Sequence, residues 1–478
     1  MEKLAKFFGV KERGSTIRTE VMAGFTTFMA TIFTIIAIPN MINSTVAPAY
    51  REPGMVYAVF IAACLSAVFG SLLKAFYAKI PFVQAPGMGL GSYFAGTVMG
   101  GMAFMAGAPY LTHLQQYQMG LAVIFIAGVL FTVSTMFGIR ELIVNSVPRN
   151  IKLAMGAGIG LFITLLGLRF SGIVINSPGT FVMMVNFSDV GLGMDYAGAV
   201  SGIFYGRRAM GAILAIVGFL LITILSIKKI KGAILIGVIT TTILNYVFGV
   251  VSLPDNFSFN LAERFSYFFN LSLFRFDFGF INSNTQWGTL LAFILAFLFV
   301  NMFDALGTIY GISMANDLTD EEGNVIGLEK GLTADALGTA ASGLLGTSTV
   351  TTVVSSASGI SEGGRTGLTA LTAAVLFTLT LVLAPFVVLV PNMAVAPALI
   401  YVGFLMVSHV KEVDFADPTE AIPAFLTVVI MPLSFSIANG IAFGLISYIV
   451  IKACTGHIKE IKPLAVVIAF LFVLQYIL

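Results

Sequence analysis

Asn301 and Asp304 follow eleven consecutive apolar residues, 290–300, and are followed in turn by Gly307 and Thr308. At about 1.5 Å of rise per helical residue the carboxylate lies near the centre of a membrane-crossing helix, and positions 301, 304 and 308 share one face. A charged Asp at that depth costs roughly 2.5–3.5 kcal/mol, so it must face the protein interior, find a partner or take up a proton. Asp304 is therefore either a group that binds solute or a coupling proton, or a carboxylate that bonds nearby hydroxyls and backbone to hold a site's shape. The sequence favours the second role.

A second polar element runs from Gly346 to Gly367 between two strongly apolar segments, and it is built of hydroxyls, glycines and β-branched residues. Its Thr351, Thr352, Ser355 and Ser356 can donate or accept hydrogen bonds, and their short side chains let a solute approach the backbone. Small residues also pack helices closely without any ligand. A third element, residues 81–94, carries Pro81, Pro86, Gly87, Gly89 and Gly91 in an otherwise apolar segment and reads as a broken helix. Gln84, just before the Pro86 break, could bond a solute; satisfying the backbone amides that the break exposes is the favoured role. Glu362 and Arg365 read as an interfacial ion pair fixing a helix end.

Other chemistry is excluded. In the acidic turn Asp317, Asp320, Glu321, Glu322, the twelfth position of a calcium loop is Leu328 and not a glutamate. His113, His409 and His457 are scattered, and no nucleophile and base stand together. Cys64 and Cys454 form no disulfide framework or metal spacing. No glycine loop for phosphate is present, which argues against an ATP-driven pump. The expectation is a protein that is not an enzyme, with no cofactor and no metal.

The elements that must position these residues are membrane helices. Of 478 residues 58% are hydrophobic and only 10% charged, and the mean hydropathy is +0.98; a soluble domain would carry about a quarter charged residues. The net charge of +2 includes no basic tract that suggests nucleic acid. Apolar runs long enough to cross a bilayer fall at about 21–42, 56–73, 119–137, 153–168, 211–227 and 233–251, then 290–316, 332–345, 368–389, 395–407, 421–433 and 438–451. With the interrupted segments counted as the third and tenth, these make fourteen spans. The run 463–478 reads as an extra terminal or interfacial helix. The threonines of the first span, Thr26, Thr27, Thr31 and Thr34, are expected to bond back to their own helix. Gly156 and Gly160 form a helix-packing face.

The basic leader at the N-terminus, together with Arg140, Arg149, Lys152, Lys228, Lys229 and Lys231, places the N-terminus in the cytoplasm of a multi-pass cell-membrane protein. Residues 169–208 and 252–286 become external loops. The halves also echo each other: Ala127 to Thr132, Val147-Pro148 and Gly160 to Phe162 recur as Ala373 to Thr378, Val390-Pro391 and Gly403 to Leu405. Seven spans is an odd number, so the second copy enters the membrane from the opposite side. The fold class is thus an all-α polytopic membrane protein with a 7+7 inverted repeat and broken helices 3 and 10. Its divisions are a leader at 1–20, the first repeat at 21–252, an external connection at 253–288, the second repeat at 289–452, and a basic turn with a terminal apolar helix at 453–478. Paired interrupted segments at matching positions are the sequence mark of a transporter site near the midplane.

Several stretches resemble the nucleobase cation symporter-2 family, in its branch of hypoxanthine, guanine and adenine permeases. They are Gln-Ala-Pro-Gly-Met-Gly-Leu at 84–90, Lys-Leu-Ala-Met-Gly-Ala-Gly-Ile-Gly-Leu-Phe at 152–162, Lys-Gly-Ala-Ile-Leu-Ile-Gly at 231–237, Phe-Asp-Ala-Leu-Gly-Thr at 303–308, Gly-Thr-Ser-Thr-Val-Thr-Thr at 346–352 and Glu-Gly-Gly-Arg-Thr-Gly at 362–367. The resemblance implies a core domain from spans 1–4 and 8–11 (about 21–138 and 289–390) and a gate domain from spans 5–7 and 12–14 (about 151–252 and 394–452). It also implies elevator-type motion and homodimers formed through the gate domains. The expected function is secondary transport of a small polar, purine-type solute, with a proton as candidate coupling ion and Asp304 as its carrier. The expected site comprises Gln84, Gly87, Gly89, Gly91, Asn301, Asp304, Thr351, Thr352, Ser355 and Ser356, with Pro86, Thr308, Glu362 and Arg365 structural beside it.

This chain departs from the branch at three site positions. Gly91 stands where the branch typically has Asn, Asn301 where it has Asp, and Ser355 where it has Glu. Two of these changes remove carboxylates that would accept purine N–H groups or carry the proton, and a site stripped of matched acceptors discriminates against its old ligand. The alternative expectation is therefore a transporter of the same fold for a different small or cationic metabolite, or an uncoupled facilitator or channel.

Overall fold

Proline at 86 withholds an amide and Gly87 takes an extended conformation, so the third span cannot run as one helix. In the computed structural model the segment crosses the interior as a short strand, β1 (Gln84–Pro86), and turns helical only at Met88. The structure describes residues 2–46, 50–107, 110–138, 142–143, 146–177, 181–192, 205–252, 259–282, 285–316, 318–319 and 325–477. Arg140 and the acidic residues Asp317, Asp320, Glu321 and Glu322 lie outside them.

The first repeat places its spans at Ile17–Asn43, Met55–Leu72, the broken third, His113–Met136, Arg149–Phe170, Tyr205–Ile227 and Ala233–Val247. The second follows with Trp287–Ala315, Leu328–Leu345, the broken tenth, Gly367–Thr380, Asn392–Val407, Pro418–Leu433 and Ile437–Cys454. Among the described residues nine helices are long and apolar enough to cross a membrane alone. The seventh and thirteenth are shorter apolar helices. This is the seven-plus-seven inverted-repeat fold of a polytopic membrane protein.

Boundaries differ from the hydropathy reading where a cap or a side-chain partner decides. The first span begins at Ile17 because Thr16 caps it, so Glu20 belongs to the helix and not to the leader. The second continues past Leu72 as a π-helical turn, Leu73–Ala78, which carries Lys74 inside the protein. The loop after the fifth span contains a hairpin of β2 (Val174–Ser177) and β3 (Phe181–Met184). Pro463–Ile477 is a helix that packs on the eighth and fourteenth spans, with the Phe472 ring 5.9 Å from that of Phe299.

The tenth span mirrors the third. Gly346, at φ +92°, ends the ninth span in a conformation that favours glycine. The chain then forms β4 (Val350–Thr352) and a six-residue helix, Ser356–Ser361. β1 and β4 pair antiparallel, Gln84 opposite Thr352, Ala85 opposite Thr351 and Pro86 opposite Val350. The Gly87 amide donates to the Thr349 carbonyl at 3.1 Å, and the Val353 amide to that of Val83 at 3.1 Å. The backbone groups freed by both breaks thus satisfy each other, as a membrane interior demands.

Around this crossing the ninth span packs on the fourth and second, and the eleventh on the first and second. The twelfth and thirteenth both pack on the fifth, the fourteenth packs on the thirteenth, and the sixth packs on the seventh.

Gln84 is wedged between the second and ninth spans: a Cβ at Gly70 or Gly338 would lie 2.1 or 2.2 Å from its Oε1. Gly338→Ala is therefore expected to lower the melting temperature of the purified protein by overpacking, a cost of about 1–3 kcal/mol. An unchanged melting temperature would show that this wedge does not hold the spans apart.

Candidate functional site

The crossing of β1 and β4 brings most of the expected residues together. Gly87 and Thr351 touch: a Cβ on the former would lie 2.9 Å from the Thr351 methyl. Gly89 abuts the fifth span, where a Cβ would meet Ile159 at 2.5 Å. Gly91 faces the first span and the tenth, with Ile38 Cδ1 at 2.1 Å and Ser348 Oγ at 3.1 Å from the Cβ it lacks. The space that an asparagine would need at this position is therefore filled by the buried Ile38 side chain.

The side-chain oxygens around the crossing include several with no hydrogen-bond partner among the described residues. The hydroxyls of Thr347, Ser348, Thr349 and Thr351 and the Oδ1 of Asn301 are buried without a hydrogen bond. Leaving such a group unsatisfied costs about 1–3 kcal/mol each. The Asn301 amide nitrogen donates to the Thr339 hydroxyl, which in turn donates to the backbone of the ninth and tenth spans at Asp335 and Val350. Asp304 lies one turn further on, partly buried, with no hydrogen bond to a described residue and Asp335 close enough for its charge to act on it. Thr308 is buried on the same face.

Other expected residues are engaged elsewhere. The Thr352 hydroxyl is turned to the Asp335 carboxylate, 2.9 and 2.8 Å from its two oxygens. Ser356 Oγ accepts from the Val83 amide at 3.1 Å, and Ser355 shares a 2.7 Å hydrogen bond with Thr31. Gln84 does not cap the exposed backbone: both polar atoms of its carboxamide are unpartnered, and its backbone is held instead by Ser71, which accepts from Gln84 N at 3.2 Å and donates to Gln84 O at 3.1 Å.

Glu362 and Arg365 do not pair. Glu362 binds Lys231 at the start of the seventh span, 2.8 Å away, and accepts from Thr26 at 2.9 Å. Arg365 donates to the carbonyls of Ile360 and Gly364. The reason is backbone geometry, since the turn after Ser361 points the guanidinium back at its own helix end. Of the first-span threonines, Thr31 and Thr34 do bond back to their own helix, to Thr27 O and Thr31 O.

Sequence reasoning passed over three buried ionisable groups. Lys74 and Asp335 form an ion pair of 2.7 Å with both side chains fully buried. Glu20, fully buried, receives the amides of Arg365 and Thr366 at 2.9 and 3.2 Å and the Thr369 hydroxyl at 2.6 Å. Asp335 was open to the depth argument applied to Asp304, because it lies inside the apolar run 332–345.

A cavity of about 480 Å³ opens along the helical part of the third span, lined among others by Met41, Ser92, Leu166, Arg169 and Asn392. It separates the first and third spans from the fifth and twelfth, and it reaches Ser92, the neighbour of Gly91.

The family described as "Permease family" matches residues 18–443. The adenine permease AdeP of Escherichia coli is 34% identical over 482 residues, covering 99% of this chain and 96% of that protein. The guanine/hypoxanthine permease PbuO of Bacillus subtilis is 32% identical over 477 residues, covering 98% and 99%. Among solved structures, the transmembrane domain of the cyanobacterial bicarbonate transporter BicA aligns with a TM-score of 0.58 at 16% identity, covering 91% of this chain and 96% of that one. The last likeness is one of fold alone.

Proposed function

The chain belongs to the nucleobase cation symporter-2 permease family, and we propose that it is a secondary transporter carrying a purine-type nucleobase across the cell membrane, with a proton as coupling ion. The observation that carries this reading is the group of buried oxygens at the crossing without a partner among the described residues, on Thr347, Ser348, Thr349, Thr351 and Asn301. A purine offers ring nitrogens that accept and N–H groups that donate, and hydroxyls can answer both. The helix that starts at Met88 adds free amides and the positive end of its dipole. Gly87, Gly89 and Gly91 would let the solute reach that backbone, while Gln84, Pro86, Thr352, Ser356, Thr308, Glu362 and Arg365 keep the frame.

Asn301 and Ser355 offer neutral groups in place of the branch's carboxylates, so Asp304 is the remaining carboxylate on the site face and the proposed proton carrier. Alternating access is read as an elevator-type movement of a core domain (21–138 and 289–390) against a gate domain (151–252 and 394–452). The cavity beside Ser92 is then the approach from one side, and the Lys231–Glu362 pair bridges the domains on the other. Basic residues Arg149, Lys152, Lys228, Lys229 and Lys231 favour a cytoplasmic N-terminus by the positive-inside rule. The gate domains are the proposed contact of a homodimer.

One observation favours a second reading, a smaller or cationic metabolite: Ile38 fills the space beside Gly91. A thermal-shift panel separates the two. Adenine, guanine or hypoxanthine at a hundredfold excess over Kd should stabilise the purified protein by about 2.7 kcal/mol. Stabilisation by small cationic metabolites and by none of the purines would overturn the purine reading.

A further inference from the structure

The buried ion pair on the far side of β4 has no part in the site as described so far. Lys74 leaves the π-helical end of the second span and donates to Asp335 Oδ2 at 2.7 Å and to the Gly331 carbonyl at 2.7 Å, both on the ninth span. Asp335 in turn holds the Thr352 hydroxyl across both its oxygens. Thr352 is the last residue of β4, opposite Gln84. A ladder of three residue pairs cannot fix its own register, since even a full two-stranded hairpin is marginal alone. Each strand is instead clamped from outside: β1 by Ser71 on the backbone of Gln84, and β4 by Asp335 on the side chain of Thr352.

We propose that Lys74 and Asp335 are the positioning pair of the tenth-span strand, holding Thr352 and thereby setting the register of β4 on which solute affinity depends. The proposal rests on reading the crossing as the solute site. Two fully buried charges gain little over a well-packed apolar pair of similar volume, so stability alone does not account for their presence. What an apolar pair could not do is accept the Thr352 hydroxyl. The lysine supplies the counter-charge that keeps the carboxylate an acceptor, and its additional bond to the Gly331 carbonyl fixes where that carboxylate sits.

The test uses Thr352→Val, Thr352→Ser and the double variant Lys74→Met/Asp335→Leu in the full-length protein reconstituted in lipid. Two readouts are taken: hydrogen exchange of the amides at 350–353, and KM and Vmax for adenine, guanine and hypoxanthine uptake. Thr352→Val leaves the ion pair in place, and it should speed exchange of those amides and raise KM by about tenfold each, the weight of one hydrogen bond to a charged group. Vmax should stay near the wild-type value, and Thr352→Ser should restore both quantities. The double variant should melt near the wild-type temperature and yet reproduce the exchange and KM of Thr352→Val. Wild-type exchange in Thr352→Val would overturn the proposal, and so would wild-type exchange and KM in a folded double variant. If the double variant does not fold, Thr352→Val and its serine rescue decide alone. If the wild type carries no purine, the functional reading fails by the uptake arm, and the exchange arm still decides the positioning.

Discussion

Replacing Asp304 by asparagine is expected to abolish proton-driven accumulation of the solute while leaving solute binding in place. Asp304 lies midway along the 29-residue eighth helix, partly buried and without a hydrogen-bonding partner among the described residues. Lys74, the fully buried lysine on the second span, is committed to Asp335. An unpaired carboxylate at bilayer depth costs roughly 2.5–3.5 kcal/mol, so it crosses the membrane most cheaply together with a proton. A gradient of about two pH units, at 1.36 kcal/mol per unit, sustains about hundredfold accumulation for one proton per solute. In Asp304→Asn that ratio should fall to about one, with the solute still exchanging across the membrane, and Asp304→Glu should recover accumulation. Wild-type accumulation by Asp304→Asn in proteoliposomes would move the coupling elsewhere.

Lys74→Met alone is expected to be the most destabilising single change in the crossing. It strands the fully buried carboxylate of Asp335 with only the Thr352 hydroxyl for support. Removing one partner of a buried ion pair costs about 3–5 kcal/mol, whereas replacing both by apolar side chains of similar size is close to neutral. Because whole domains are stable by only about 5–15 kcal/mol, the single variant should accumulate poorly in membranes and melt well below wild type. Adding Asp335→Leu should restore most of the loss. Equal melting of wild type and Lys74→Met would mean that the pair is not closed as its 2.7 Å separation indicates.

What the sequence disclosed and what it hid follow from the range of the forces involved. Pro86 and Gly87 break a helix by local covalent geometry, so the broken third span was legible, and the hydroxyl-rich tenth was legible as its counterpart. Their direct pairing as β1 and β4 is a tertiary contact and was not legible. Lys74 was passed over because it follows an apolar run and looks like a flanking charge; only the π-helical continuation of the second span carries it inside. Its partner is 261 residues away, beyond any local pattern. Glu362 likewise looked local to Arg365, yet it binds Lys231, 131 residues distant. Gly91 was visible as a departure from its branch, but its cause, the Ile38 side chain, is a tertiary contact.

The crossing of the third and tenth spans is proposed to carry a purine together with a proton. This is tested most directly by uptake of labelled adenine, guanine and hypoxanthine into proteoliposomes, with and without an inward proton gradient. Saturable uptake of at least one purine is expected, accumulated above the external concentration only when the gradient is present. Absence of uptake for all three purines, in protein that is folded and reconstituted, would contradict it.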